Sequence, residues 1–564
     1  MDEHLRSGIR ALAERDDTWV TLETLQRYLD EGSWSEHSFV HDLERHARER
    51  PDTTAIIDDD GRRTTYGEYE QRTRHLAEGL LDLGLEPGDR VAMQLPNGSE
   101  FCLTLLACAR VRLVPVFLHM AYGEHDLEYV LDLTGARALV VPADFRGREF
   151  LPLARTLRDR IAALEHLVVV EGPEHDPERG PRYDEPVFED LLREGGSEHD
   201  LEALRPTGVD PFFIMFTSGT TGRPKAELHT HANNLYWVRH FERAQQYPAD
   251  AQWIIVTPIA HLTGLGLGVL SALHRGAACT LLAAWDAQRC VELIARDRPT
   301  YLLGATPMLI DLARLPDLVE REVASIRGIA YAGAPCPAEI LSSLHRTLDA
   351  EIGAFYGYTE AGVTHGTRPG DPISVTSRSI GTVLDGVEMR LVDDEGRDVE
   401  LPGQGEVWSR GPSFVVGYYG QPEVTERMFT ADGWFRSADI VRFDADGYGY
   451  FVSRRDDLIN RGGYKIDPRE IEEVLYEHPA VGQAAVVAMP DERLGQRAAV
   501  FVVPASADVA VELGDLTGFL ADKGFSRTKW PEALEVLDEF PMTSTGKFMR
   551  YALREQAEQL RPQR

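Results

Sequence analysis

One stretch constrains this chain more than any other. Phe212-Phe213-Ile214-Met215-Phe216 is an apolar run that leads straight into Thr217-Ser218-Gly219-Thr220-Thr221-Gly222 and then Arg223-Pro224-Lys225. A strand that ends in six consecutive Ser, Thr or Gly residues must turn in a loop with little side-chain bulk. Small residues let backbone N–H groups approach an anion closely, hydroxyls add donors, and lysine adds a point charge. A polyphosphate needs that combination. The spacing is not G-x-x-x-x-G-K-[ST], because Pro224 precedes Lys225, so this is not the common nucleotide P-loop. A plain Ser/Thr/Gly turn is the alternative reading of the same residues.

The lysine stands out for a second reason. The chain has five lysines among 59 basic residues: Lys225, Lys465, Lys523, Lys529 and Lys547. Lysine is a compact ammonium and arginine a planar fork, so the few lysines mark positions where residue type matters. The net charge of −33 argues against broad binding to nucleic acid or anionic lipid, but not against a small polyanion in a local basic pocket. The first residues lack the basic start and apolar core of a secretory signal. The best apolar candidate, Leu103 to Leu118, is broken by Arg110 and Arg112, so no membrane span is expected. The five cysteines are sparse and lack metal-ligand spacing. They read as buried apolar thiols in a cytoplasmic protein.

A length of 564 residues predicts two or more domains. Residues 1–38 read as a polar N-terminal extension. From Phe39 helix and strand patterns alternate. Leu76, Leu80 and Leu83 repeat at helical spacing before the turn Pro87-Gly88-Asp89, and Arg90 to Leu95 reads as a strand closed by Pro96-Asn97-Gly98. Ala138–Val141 and Leu167–Val170 are continuous apolar runs, suited to parallel strands buried on both faces. Residues 172–210 read as an exposed loop. The pattern predicts an α/β fold: a large domain of layered α/β sheets over 39–455, with a β-rich subdomain at about 380–455 where Gly/Asp turns recur. A small α+β C-terminal domain is expected over 456–564. There Asp467-Pro468 reads as a helix start, with Glu470, Glu472 and Glu473 favouring its positive end.

Beyond the Thr217–Lys225 segment, further motifs resemble those of the adenylate-forming enzymes, which include acyl-CoA synthetases, aryl-acid AMP ligases and peptide-synthetase adenylation domains. Tyr331-Ala332-Gly333-Ala334-Pro335 resembles the adenine-contacting turn and Tyr356-Gly357-Tyr358-Thr359-Glu360 the Y-G-x-T-E motif. Gly433 to Asp439 resembles the ribose-binding motif, with Ala438 where glycine is commoner. Ser453 to Ile459 resembles the hinge motif, and Pro541 to Lys547 the C-terminal lysine motif. The resemblance spans roughly Phe39 to Arg550 and implies activation of a carboxylic acid by AMP transfer from ATP, with Mg²⁺ as cofactor. Such a step builds negative charge at the α-phosphorus, so catalysis is mostly positioning and charge stabilisation. The resemblance implies that Thr217, Ser218, Gly219, Thr220, Thr221, Gly222 and Lys225 hold phosphate. It places Gly333, Ala334, Pro335, Gly357 and Tyr356 at the base, with Tyr358 a competitor for stacking. Thr359 would donate to phosphate and Glu360 hold Mg²⁺, a hard ion that prefers carboxylate oxygen. Asp439 would accept the ribose hydroxyls and Arg454 reach the ribose, while Lys547 would bridge the carboxylate and the α-phosphate. Asp456 falls at the hinge, about which the C-terminal domain rotates in relatives. Gly462 and Gly463 would line a thiol tunnel, with Lys465 nearby.

His261, in Thr257-Pro258-Ile259-Ala260-His261-Leu262-Thr263-Gly264, falls near the carboxylate and thiol entry in the resemblance. The acid pocket would include His261, Leu262, Gly264 and Gly333. Relatives that activate 2-hydroxylated benzoates usually have His-Asn where this chain has His261-Leu262. Leucine cannot bond a substrate hydroxyl, so strong selection of such an acid is not expected. Gly264, Gly266 and Gly268 either leave room for an apolar, aryl or bulky alicyclic acid or serve helix packing. His229 and His231 lie close in sequence, but no third metal ligand accompanies them. Few residues follow Lys547, so the acceptor thiol is expected to be separate: coenzyme A first, a discrete carrier protein second. A non-catalytic nucleotide-binding homologue would need damaged motifs. A luciferase-like oxygenase would need a special acid. Motifs alone do not decide between monomer and dimer.

Overall fold

The continuous apolar runs become the middle of a parallel sheet. A computed structural model describes residues 3–562 except 172–182, 194–198, 218–223, 319–320, 463, 507–508 and 543–547, with the backbone but not the side chains of Asp456 and Lys465. Strands Ala138–Pro142 and His166–Val170 pair in parallel, and every residue of Ala138–Pro142 is buried. Their sheet has seven strands. From one edge they are Gly417–Tyr418, Lys225–Thr230, Pro211–Thr217, Val114–Phe117, Arg90–Met93, Ala138–Pro142 and His166–Val170. Pro211–Thr217 and Lys225–Thr230 form an antiparallel hairpin, and Gly417–Tyr418 pairs antiparallel to its outer strand.

A second, nine-stranded sheet runs from Thr382–Val383 through Gly362–Gly366, Glu351–Tyr358, Gly328–Ala332, Tyr301–Ala305, Trp253–Ile255, Cys279–Leu281 and Thr54–Ile57 to Arg63–Thr65. The pairs from Gly328–Ala332 to its neighbours on both sides are parallel. Helices such as Tyr66–Asp82, Ser99–Arg110 and His231–Gln245 bury apolar faces in this part of the chain, with Leu76, Leu80 and Phe241 almost fully buried. The expected helix around Leu76 and Leu80 is capped by Thr65, whose hydroxyl accepts from Glu68 N–H while Glu68 reaches back to the Thr65 N–H. That reciprocal arrangement satisfies two of the otherwise unpaired donors of a helix start.

By internal packing the chain forms two units. One comprises residues 1–217, 224–389 and 409–435, the other 218–223, 390–408 and 436–564. The sheet of the β-rich segment, in order Asp398–Val399, Glu388–Val392, Gly403–Arg410, Phe435–Phe443 and Gly449–Arg454, belongs largely to the second unit. That unit also holds a sheet ordered Tyr464–Ile466, Ile459–Arg461, Gly495–Pro504 and Val481–Asp491, with Ala533–Val536 parallel to Gly495–Pro504. The expected helix start at Asp467 is real. Its carboxylate accepts from Arg469 N–H at 3.0 Å, and Pro468–Leu475 follows. Arg550 clasps Glu472 with two bonds of 2.7 Å and ties helix Arg550–Ala557 to helix Pro468–Leu475. The packing therefore divides the β-rich segment, grouping residues 390–408 and 436–455 with the C-terminal chain and 380–389 and 409–435 with the first unit, where the sequence pattern grouped all of it with the large domain.

The N-terminal residues require a correction. They are not an extension but part of the first unit. Helix Glu3–Ala13 buries Leu5, Ile9 and Leu12, and helix Leu22–Asp30 buries Leu25 and Tyr28. Between them the chain crosses residues 412–425. Trp19 N–H donates to Val416 O at 2.9 Å and its indole N–H to Val415 O at 2.8 Å. The Asp17 carboxylate accepts from Gly420 N–H at 2.7 Å, the Asp17 carbonyl accepts the Thr425 hydroxyl at 2.8 Å, and the Trp34 indole donates to Pro412 O at 2.8 Å. Thr18 and Gly417 form an antiparallel bridge. Trp34 is only 2% exposed, so Trp34→Ala is expected to lower the stability of the first unit by about 3–5 kcal/mol, read by chemical denaturation.

Candidate functional site

The hairpin Pro211–Thr217/Lys225–Thr230 flanks the Ser/Thr/Gly segment on both sides. Thr217 and Lys225 are its last facing pair, followed by Phe216 opposite Ala226 and Met215 opposite Glu227. Ser218, Gly219, Thr220, Thr221 and Gly222 lie outside the described residues. Alternate residues of a strand share a face, so Lys225 and Glu227 lie side by side. Tyr418 stands opposite Glu227 from the next strand.

Glu360 completes this polar layer, two residues beyond strand Glu351–Tyr358. The Tyr418 hydroxyl donates to Glu360 Oε1 at 2.6 Å, and Lys225 Nζ lies 3.8 Å from the same oxygen and 5.5 Å from the Tyr418 ring centre. The Glu360 carbonyl also accepts from Val415 N–H at 2.7 Å. Glu227 is fully buried, and its Oε1 accepts the Thr217 hydroxyl. Burial, reinforced by the Glu360 charge, drives the Glu227 carboxyl well above the ordinary carboxylate range, despite the opposing pull of Thr217 and Lys225. Burial and then the Glu360 and Glu227 charges likewise keep the Tyr418 phenol protonated.

Glu360 is the residue here suited to a hard cation. Among the described residues no group of three or more His, Cys, Asp or Glu side chains could hold a metal ion. A single buried carboxylate of this kind fits Mg²⁺, which takes one or two protein carboxylates and fills its remaining positions with water and substrate phosphates.

Tyr356 and Tyr358 sit on one face of their strand. The Tyr356 hydroxyl donates to that of Tyr358 at 3.0 Å. Tyr358 packs its ring on Phe435 at 5.1 Å and joins the cluster of Phe414, Phe429 and Phe435, while Tyr356 meets His365 edge-on at 5.6 Å. Gly357 has no room for a side chain, since a Cβ would lie 1.9 Å from Gly362 O. Thr359 is half-buried. Gly333, Ala334 and Pro335 form an exposed turn with Gly333 at φ 98°, and the Thr306 hydroxyl holds Ala334 O at 2.6 Å.

His261 begins the short helix Leu262–Gly264, its Nδ1 accepting from Thr263 N–H at 3.3 Å. Asn97 anchors the approach to it, donating to Thr257 O at 2.9 Å and Leu282 O at 3.0 Å and accepting from Ile259 N–H at 2.8 Å. A π-helix follows over Leu265–Leu270. The glycines here serve close packing. A Cβ on Gly264 would lie 2.5 Å from Pro258 O, one on Gly266 2.1 Å from the Trp237 ring, and one on Gly268 2.5 Å from Ile255. The space each glycine leaves is already filled, which removes the expectation that they open room for a bulky acid.

His229 and His231 are core residues. Their rings stack on Phe213 at 4.4 Å and Phe212 at 4.0 Å, and burial lowers both, His229 to about 3.

In the second unit, Asp439 and Arg454 are a facing antiparallel pair joined by an Arg454 Nε–H bond to Asp439 Oδ1 at 2.8 Å. The Asp439 N–H donates to Ser437 Oγ at 3.0 Å, and the Ala438 N–H donates to Glu406 Oε1 at 3.1 Å. Glu406 also pairs with Arg455 at 2.8 Å. Ala438 has φ 61°, a left-handed conformation that explains why glycine is the commoner residue there. Asp456 lies in the 3₁₀ turn Arg455–Asp457. Gly462, at φ 62°, donates its N–H to Leu494 O at 2.7 Å. Lys465 lies in strand Tyr464–Ile466, whereas Gly463 and Lys547 lie outside the described residues. Sequence reasoning missed Asn97, Glu227 and Tyr418. Only Asn97 left a local signal, its place in a Pro-Asn-Gly turn.

Residues 43–419 match the AMP-binding enzyme family and residues 470–547 the AMP-binding enzyme C-terminal domain. The chain is 30% identical over 527 residues to the medium-chain fatty-acid–CoA ligase of Escherichia coli (strain K12), covering 93% of this chain and 92% of that one. It is also 30% identical over 536 residues to the 2,3-dihydroxybenzoate-AMP ligase of Bacillus subtilis (strain 168), covering 94% and 96%. The fold is similar to the crystal structure of the anthranilate CoA ligase AuaEII in complex with anthranoyl-AMP, with a TM-score of 0.79, 25% identity and coverage of 93% and 98%. The chain belongs to the AMP-binding enzyme family. It is an adenylate-forming enzyme that activates an acyl or aryl acid.

In the second unit, Ala438→Gly is expected to raise stability by about 0.5–1 kcal/mol by relieving the left-handed strain. Ala438→Val is expected to lower it, both read as midpoint shifts in denaturant.

Proposed function

We propose that this enzyme converts a carboxylic acid and ATP into acyl-AMP and pyrophosphate, then transfers the acyl group to a thiol, most simply coenzyme A. In the first step a substrate carboxylate oxygen attacks the α-phosphorus as the bond to pyrophosphate breaks. In the second, a thiol sulfur attacks the acyl carbon, its proton is lost, and AMP leaves. The observation that carries this reading is the layer of Lys225, Glu227, Tyr418 and Glu360 beside Thr217, where the Ser/Thr/Gly segment begins.

Lys225 and the residues of 217–222 would hold phosphate. Glu360 would hold Mg²⁺, which when bound offsets phosphate charge. Tyr418 orients the Glu360 carboxylate by donating to one of its oxygens. Thr359 would donate to phosphate. Tyr356 is better placed than Tyr358 to stack on a base, because the Tyr358 ring is engaged with Phe435. Gly333, Ala334 and Pro335 would line the base and the acid. Asp439 would accept the ribose hydroxyls, with Arg454 holding its carboxylate. Lys547 would bridge the acid and the α-phosphate, and Asp456 would serve as the hinge of a thiol-transfer state that uses Gly462, Gly463 and Lys465. His261 would stand at the carboxylate and thiol entry.

Leu262, buried and without a polar atom, favours an apolar, aryl or alicyclic acid over one read through a hydroxyl. Loading a separate carrier protein is the second reading. It is favoured by the likeness to a relative named for an AMP ester, not a coenzyme A thioester.

The test is acid-dependent ATP–pyrophosphate exchange over a panel of carboxylic acids, followed by mass analysis with coenzyme A supplied. Exchange with at least one acid and an acyl-CoA product are expected. Lys547→Ala should lower exchange about 100-fold or more, the scale set by loss of one transition-state charge contact. Undiminished exchange in that variant would remove Lys547 from the reaction. No exchange with any acid would leave a nucleotide-binding protein without this activity.

A further inference from the structure

We propose that Glu227 is a positioning residue for the phosphate-holding pair Thr217 and Lys225: it holds the Thr217 hydroxyl across the hairpin and thereby fixes it beside the Lys225 ammonium. The inference rests on the ATP-activating reading above.

The first observation is that this carboxyl is where packing alone would not put one. Glu227 is 0% exposed, on a strand whose neighbours Ala226 and Leu228 are also buried. Moving a carboxyl out of water costs several kcal/mol unless hydrogen bonds compensate, and an aliphatic side chain carries no such cost. The Glu227 Oε1 accepts the Thr217 hydroxyl, and among the described residues its Oε2 has no hydrogen-bond partner. Buried polar atoms without partners are rare, and each calls for a physical explanation.

The second observation is position. Thr217 is the last residue of its strand and faces Lys225; Glu227 lies two residues further along the returning strand, on the Lys225 face. The Thr217–Glu227 bond therefore crosses the mouth of the hairpin diagonally, beside the lysine that would meet phosphate. A side-chain bond across the two strands lowers the rotamer freedom of Thr217 and holds its hydroxyl beside Lys225. The third is electrostatic. Lys225 lies 3.8 Å from Glu360, and a carboxyl at 227 shares the same buried layer, with Tyr418 directly opposite. Glutamine at 227 would keep the length of the side chain and an oxygen to accept from Thr217. Leucine would keep only the bulk.

The experiment compares the full-length wild type with Glu227→Gln, Glu227→Leu, Thr217→Val and the Glu227→Leu/Thr217→Val double variant. ATP affinity is read by calorimetry without acid. KM for ATP, KM for the acid and kcat come from pyrophosphate exchange, and thermal midpoints check folding. Glu227→Leu should weaken ATP binding and raise KM for ATP about tenfold, with KM for the acid within about twofold. Thr217→Val should do the same, the double variant should be no worse than either single one, and Glu227→Gln should recover to within about threefold; such non-additivity marks two residues acting as a unit. Unchanged ATP affinity in Glu227→Leu overturns the proposal. So does an effect of Glu227→Gln equal to that of Glu227→Leu, parallel rises in KM for ATP and acid, or additive losses in the double variant. If Glu227→Leu does not fold, Glu227→Ala takes its place in the same comparisons, and unchanged ATP affinity in Thr217→Val also overturns the proposal. A wild type that neither binds ATP nor exchanges pyrophosphate would fail the activating reading itself. A wild type that does both, with variants that match it, fails only the role of Glu227.

Discussion

The bond from the Tyr418 hydroxyl to Glu360 is the contact on which the rest of this site depends. A buried carboxylate needs polar partners, and Glu360 finds them in a phenol at 2.6 Å and an ammonium at 3.8 Å. Satisfying it fixes three separate stretches of chain. The strand ending at Tyr358 delivers Glu360, the hairpin delivers Lys225, and the edge strand Gly417–Tyr418 delivers the phenol. Two of these are strands of one sheet, so their register sets the spacing of the charges. A slip of one residue in the edge strand would turn Tyr418 to the opposite face.

That edge strand is only two residues long, and a strand so short has little register stability of its own. What supplies it is the crossing of Asp17, Thr18 and Trp19 over residues 415–420. A Cβ on Gly417 would lie 2.1 Å from Asp17 O, so the close approach of the two stretches itself requires glycine. The aromatic cluster beneath, with Trp19 stacked on Phe429 at 5.4 Å, carries the same constraint toward Phe435 and Tyr358.

Much of this was legible in the sequence where the signal was local. The buried parallel strands follow from unbroken apolar runs, and the helix at Pro468 follows from an Asp cap before proline. The site was legible as residue types: a Ser/Thr/Gly run, a lysine, and a Thr-Glu pair after a strand. Its assembly was not, because Glu227 and Tyr418 gain their roles from cross-strand neighbours that no local pattern encodes. Glu227 reads in sequence as one more acid among 92. The N-terminal helices were misread for a related reason. Their apolar residues are sparse, and their partners lie at the far side of the first unit's sequence. Gly264, Gly266 and Gly268 left two readings open in the sequence, and the structure favours packing: a carbonyl, a ring or an isoleucine already occupies the space each leaves.

The crossing of Asp17–Trp19 over the edge strand also has a consequence in time. Trp19 and its partner Val415 are separated by 396 residues. At about 5–20 residues per second of synthesis, Trp19 waits roughly 20–80 s for the carbonyl it will meet. During that interval the first helices have apolar faces without their final cover, and the seven-stranded sheet has no outer strand. The contacts of residues 17–19 with residues 415–420 therefore wait on arrival of the chain near residue 420, long after the first helices have left the ribosome.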